Sequence, residues 1–142
     1  MMPGKLYLFD GTAIFYRGYY GIDVTLTNSK GEPTNALFGT ARMLSKFTRE
    51  RMKKGDYAIF AFDRKEATKR HEAYESYKAT REAMPEALVA QLEDIPDLVE
   101  AFGIKFLSIA GLEADDIVAT AATRYRNEVD EVLVITGDKD LL

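Results

Sequence analysis

Four short apolar runs set the rhythm of the chain. They are KLYLFD (Lys5 to Asp10), YAIFAFD (Tyr57 to Asp63), IKFLSI (Ile104 to Ile109) and EVLVIT (Glu131 to Thr136). Runs of this length, continuous rather than alternating and rich in aromatic and branched residues, suit strands covered on both faces. Helical spacing lies between them. Leu37, Ala41 and Leu44 recur at i, i+4, i+7. Leu88, Leu92, Ile95, Val99 and Phe102 do so over a longer span, with Pro96 inside it predicting a kink or a break. Ile117, Ala121 and Ala122 line a further helix, and Thr27 to Asn35 reads as a turn or loop from its Gly, Pro and Asn content. Strands alternating with helices predict an α/β fold: a parallel, Rossmann-like sheet with helices on both faces. The last strand ends near Thr136 and the sequence at Leu142, where such a fold would normally send a helix back across the sheet, so the pattern reads as cut short.

Acidic residues follow each run. Asp10 ends the first and Asp63 the second. Glu113, Asp115 and Asp116 come just after the third, and Asp138 and Asp140 after the fourth. In an open parallel sheet, ligands bind beyond the carboxyl ends of the strands. The seven acids are therefore expected on one edge, where they would repel one another unless cations sat among them. Taken singly, each cluster has an ordinary structural reading. Acids in a first helical turn favour the helix dipole, and Asp after a strand is common turn chemistry. Their convergence points instead to a metal centre. The chain has no cysteine and one histidine, so the donors are hard oxygens, which favour magnesium or manganese over zinc.

Composition narrows the classes. With 142 residues, 46% hydrophobic and 30% charged, the chain has material for one globular domain with a real core. The lack of cysteine excludes a disulfide framework and a thiol nucleophile, and fits the cytoplasm. No run approaches the roughly 18 apolar residues of a membrane span, so no membrane partner is expected. Net charge is −4, but it is segregated. Arg42 to Lys54 holds six basic residues and one acid, Arg64 to Arg81 six basic residues and three acids, and Glu86 to Glu100 five acids and no base. Two metal ions about 4 Å apart are the usual device for cutting phosphodiesters, and such a substrate needs cationic handles. The segment RKEATKRHEAYESYKATR supplies them, Arg70 among them. Lys78 and Arg81 lie one helical turn apart, and Tyr74 and Tyr77 have the spacing to share a face that stacks on a base. A solvated amphipathic helix packing its tyrosines is the plainer alternative. His71, alone among lysines, reads as structural or surface.

The segments LFDGTAIFYRGYY, GEPTNALFG, FDRKEATKRHEAYESYKATR, GLEADDIVAT and VITGDKDLL together resemble, in order and spacing, the N-terminal part of the 5′ nuclease (5′–3′ exonuclease) domain of bacterial DNA polymerase I, within the flap endonuclease family. The likeness covers nearly the whole chain, and EADD followed by TGDKD is its most specific part. The resemblance implies a PIN-like nuclease fold. It also implies two divalent ions in a complete site, Mg2+ or Mn2+, held by Asp10, Asp63, Glu113, Asp115, Asp116, Asp138 and Asp140. It implies catalytic roles for Lys78 and Arg81 at the scissile phosphate, and nucleic-acid contacts from Arg17, Arg70, Tyr77, Lys78 and Arg81. The span from about 64 to 84 is similar to the family's helical arch, although the proline usual soon after the arginine is found only as Pro85.

The partner so implied is DNA with a 5′ single-stranded flap or end. The family's further aspartates and its helix–hairpin–helix-like duplex grip fall after the last matched motif. On that reading residues 1–142 form the metal-binding part of the domain. Such a chain is expected to hold one ion and to cut slowly or not at all until a second polypeptide, or a polymerase portion, completes it.

Two rivals define the alternatives. One is a non-catalytic module that binds metal and nucleic acid. The other is an aspartyl phosphatase of the haloacid dehalogenase type, suggested by FDGT and a late GDKD. Its chemistry needs a nucleophilic Asp two residues before Asp10, and that position is Leu8.

Overall fold

The structure, a computed structural model, describes residues 4–21, 27–63 and 90–136. In chain order the elements are β1 (Lys5–Asp10), α1 (Gly11–Gly21), α2 (Asn35–Glu50), β2 (Tyr57–Ala61), α3 (Ile95–Ala101), β3 (Lys105–Leu107), α4 (Ala114–Tyr125) and β4 (Glu131–Ile135). All strand pairs are parallel, in the order β3-β2-β1-β4. The chain works outward from β1 through β2 to β3, then crosses back to β4 on the far side of β1. The order therefore reverses between β1 and β4, which is where open α/β sheets form their crevice.

Burial explains why β1 is the centre. Leu6, Tyr7, Leu8 and Phe9 are all 4% exposed or less, so both faces of the strand are covered. Tyr7 and Phe9 of β1 and Ala58 and Phe60 of β2 face α1, α2 and α3 through Ile14, Phe15, Leu44, Phe47, Ile95 and Val99. Leu6 and Leu8 face the other way, against Ala121 and Val118 of α4. Phe47 meets Tyr7 and Phe9 edge-on at 4.8 and 4.9 Å, a geometry that adds roughly 0.5–1.5 kcal/mol per pair beyond area burial. At the amino end of the sheet, Asp56 accepts the N–H of Lys5 and of Lys53 at 3.0 and 2.9 Å, fastening the turn before β2 to the start of β1. Those two backbone bonds hold its carboxyl below the ordinary value.

The parallel α/β expectation is borne out, with two local corrections. The break expected at Pro96 is found just before it, and Pro96 lies in the first turn of α3, where its missing N–H costs nothing. β3 pairs over three residues rather than the six of its apolar run, because only Lys105, Phe106 and Leu107 find partners on β2. α1 was not foreseen. Its buried positions include Gly11, Ile14, Phe15, Gly18 and Tyr19, a helical spacing in which two of the packed positions are glycines.

Both glycines are places of close approach. A Cβ on Gly18 would stand 3.1 Å from the carbonyl oxygen of Ala36, where α1 crosses α2. A Cβ on Gly11 would fall 2.2 Å from the Phe60 ring and 2.6 Å from the carbonyl oxygen of Ala61. Because the second neighbour is backbone, Gly11→Ala must push β1's end away from β2. Urea unfolding should show a loss of roughly 1–3 kcal/mol, the usual range for overpacking. Wild-type stability in that variant would mean the close approach relaxes at no cost.

Candidate metal centre

Parallel pairing puts the carboxyl ends of β1, β2 and β3 on one edge, and each continues into an acid. Asp10 is the last residue of β1 and is half-buried. Its Oδ1 accepts the N–H of Ala13, in the first turn of α1, at 3.2 Å. Asp63 lies two residues past β2. Its own N–H donates to Thr12 Oγ1 at 2.8 Å, and its Oδ1 accepts the N–H of Ala114, the first residue of α4, at 2.6 Å. The amino termini of α1 and α4 thus each direct a backbone donor, and the positive end of a helix dipole, at a carboxylate.

α4 begins after the third acidic cluster. Glu113 is its N-cap, and Asp116 reaches back to accept the Glu113 N–H at 3.0 Å, making a capping box. That is the structural reading of acids in a first turn, and it takes up these two side chains. Asp115, exposed, lies near Asp10, close enough that its charge and a shared proton are among the causes that raise the Asp10 carboxyl. Burial lifts the Asp10 carboxyl above its ordinary value. The Ala13 N–H pulls it down, while the charges of Asp115 and Asp63 and the hydrogen bond to Asp115 push it up again.

The structure therefore brings Asp10, Asp63 and Asp115 together, and sets Glu113 and Asp116 on the same edge as a cap. Among the described residues no three acid or histidine side chains form a group that could hold a metal ion, and one oxygen of Asp63 is taken by the Ala114 N–H. The donor set is all carboxylate oxygen, the type that suits a hard divalent cation. Arg17 is exposed on α1, between one and two turns beyond its start. Asp138, Asp140 and the whole span 64–89, with Arg70, Tyr77, Lys78 and Arg81, lie outside the described residues. Thr12 was not singled out in the sequence. It is the buried hydroxyl that fixes the Asp63 backbone, and its one signal is its place two residues after Asp10.

The family described as 5′-3′ exonuclease, N-terminal resolvase-like domain, matches residues 5–142, all but the first four. The chain belongs to this family. Among the exonuclease domain's relatives, thermostable DNA polymerase I of Thermus thermophilus is 42% identical over 138 residues, covering 97% of this chain and 16% of that protein. A 5′-3′ exonuclease of Aquifex aeolicus is 36% identical over 137 residues, covering 96% of this chain and 46% of that one. The chain thus spans less than half the length of these curated relatives. In fold it is similar to a T5 5′-exonuclease solved with bound divalent metal ions (zinc), with a TM-score of 0.54, 20% identity, and coverage of 98% of this chain and 50% of that one.

The raised Asp10 carboxyl gives this chain a signed pH dependence. At low pH the residue is protonated in both folded and unfolded chains and contributes nothing. As pH rises past the ordinary value of 3.8 the unfolded chain ionises first, so the unfolded state gains. Above the raised folded value the penalty is complete. In metal-free solution at pH 7, Asp10→Asn, which can still accept the Ala13 N–H, should raise the melting temperature. The gain should vanish below about pH 4, near the ordinary carboxylate value. A lower melting temperature for the variant at pH 7 would refute the repulsion.

Proposed function

We propose that this chain is the metal-binding part of a 5′–3′ exonuclease or flap endonuclease, hydrolysing DNA phosphodiester bonds beside a single-strand/double-strand junction. The gathering of Asp10, Asp63 and Asp115 at the carboxyl edge of the sheet, with the Ala13 and Ala114 N–H groups fixing the first two, carries this reading. Family membership supports it, as do relatives that are DNA polymerase I proteins and a 5′-3′ exonuclease. The phosphatase alternative is weakened by Leu8, which stands where the nucleophile would be and is 1% exposed in the core. Among the described residues no helix is long and apolar enough to cross a membrane.

Asp10, Asp63 and Asp115 would hold a divalent ion, with Asp138 and Asp140 serving the second. Magnesium or manganese fits these oxygens best. When bound, such ions neutralise charge at the phosphate and lower the pKa of a bound water. The chain's own part is to set the geometry. Thr12 and Ala114 fix Asp63 from two sides, and Ala13 fixes Asp10, so the carboxylates keep their positions as the phosphate arrives. Water oxygen forms the new bond to phosphorus, the P–O3′ bond breaks, and the proton leaves with the O3′ oxygen. Lys78 and Arg81 would offset the charge that develops on the phosphate, with Arg17, Arg70 and Tyr77 holding the strand. A polymerase portion, as in the relatives, would receive the trimmed DNA.

Two measurements test this. Manganese should raise the melting temperature of residues 1–142, and the rise should be lost in Asp63→Ala. Any cleavage of a 5′-flap substrate should need the metal and disappear in the same variant. No metal-dependent shift, or cleavage that survives Asp63→Ala, would remove the metal centre from the mechanism. In a complete enzyme, Lys78→Ala and Arg81→Ala should each lower turnover by roughly tenfold or more, the usual scale for losing one transition-state donor, with unchanged melting. A melting loss with unchanged turnover would make them structural.

A further inference from the structure

α2 carries a feature that the metal centre does not use. Arg42, Lys46 and Arg49 are all exposed and recur at i, i+4, i+7, so they form one outward stripe. Arg51, Lys53 and Lys54, also exposed, carry the positive charge on into the turn before β2. The only acid in that stretch is Glu50.

A merely solvated helix face alternates its charges, because opposite charges at i, i+4 attract and like charges repel. Here Arg42 and Lys46 are a like-charged i, i+4 pair, and Lys46 and Arg49 a like-charged i, i+3 pair. Glu50 follows Lys46, the less favourable orientation for the helix. Arg49 has a local role, since its Nε donates to the carbonyl oxygen of Ser45 at 3.2 Å near the helix end. Arg42 and Lys46 are in mid-helix. Among the described residues no acid forms an ion pair with either; the ion pair found there joins Lys5 to Glu131 at the other end of the fold. A stripe that repels itself, on a chain of net charge −4, is better explained by an external polyanion than by folding.

We infer that the outward face of α2, from Arg42 to Arg49 and on to Lys54, is a docking surface for the phosphate backbone of duplex DNA. It deepens the proposed nuclease reading and rests on it for the identity of the polyanion. Seven residues of helix span about 10 Å, against an axial phosphate spacing of roughly 3.4 Å per strand, so a straight helix meets several phosphates of a rigid duplex at once. The stripe is also held rigidly to the acidic edge. α2 packs on α1 at the Gly18 crossing, and α1 starts at Asp10, so a duplex held by α2 is registered to the metal centre.

The test is Arg42→Ala/Lys46→Ala in residues 1–142, with binding of a blunt duplex measured from low to moderate salt without divalent metal. Alanine keeps the helix and removes the repulsion, so the melting temperature should hold or rise. The slope of log affinity against log salt should fall in magnitude by roughly 1.8, about 0.9 for each phosphate no longer neutralised, and low-salt affinity at least tenfold. The charge-conserving Arg42→Lys/Lys46→Arg should restore both. An unchanged slope, no duplex binding by the wild type, or stripe-dependent binding to anionic lipid vesicles in place of DNA would each overturn the inference. Separate manganese melting measurements keep the two readings apart. An unchanged slope with the Asp63-dependent melting shift intact sinks only the stripe, whereas stripe-dependent binding without any manganese-dependent shift sinks only the nuclease reading.

Discussion

The bond from the Ala114 N–H to Asp63 Oδ1 holds together what charge would separate. Asp10, Asp63 and Asp115 share one edge of the sheet, and like charges at that range disfavour the folded state. The chain offsets this with backbone donors. In a parallel sheet each strand that ends at this edge passes into a helix that begins there. The topology that gathers the acids therefore gathers the N-termini of α1 and α4 beside them. Asp10 takes the Ala13 N–H and Asp63 the Ala114 N–H, so backbone donors reduce the repulsion.

That arrangement depends on β1. Its four central residues are buried on both faces, with three helices on one side and α4 on the other. Since β1 pairs with both β2 and β4, its end marks the place where the strand order reverses. Gly11 then lets the chain turn directly against Phe60 and Ala61, and Thr12 follows, close enough to bond the Asp63 backbone. Asp10, Gly11 and Thr12 act as one unit: the first places a carboxylate, the second permits the approach, and the third ties in the neighbouring strand.

Legibility in the sequence followed the physics of each element. β1 and β4 were plain, as continuous apolar runs between breaks. β3 was overestimated, because apolar character does not say how many residues find a partner. α1 was hidden, since a helix whose packed face includes Gly11 and Gly18 shows close packing as missing side chains. Among the described residues, Asp10, Asp63, Glu113, Asp115 and Asp116 were legible because the strands predicted their edge. What charge alone could not show was the division of labour in Glu113, Asp115 and Asp116. Only the start of α4 decides that Asp116 turns back onto the Glu113 backbone while Asp115 is left near Asp10.

This division shows how stability and function pull against each other at the edge. Glu113 and Asp116 serve the helix, and Asp63 serves it in part through Ala114. Asp10 and Asp115 do the opposite, since burial and mutual repulsion lift the Asp10 carboxyl and weaken the fold at neutral pH. A cation among them would turn that repulsion into attraction. Anything that binds only the folded chain stabilises it by mass action, so on the proposed reading the penalty would fall on the metal-free protein and be relieved on binding. The capping acids have no such gain in prospect. Within one cluster, Glu113 and Asp116 are thus spent on the start of α4, while Asp10 and Asp115 stay together at the edge of the sheet.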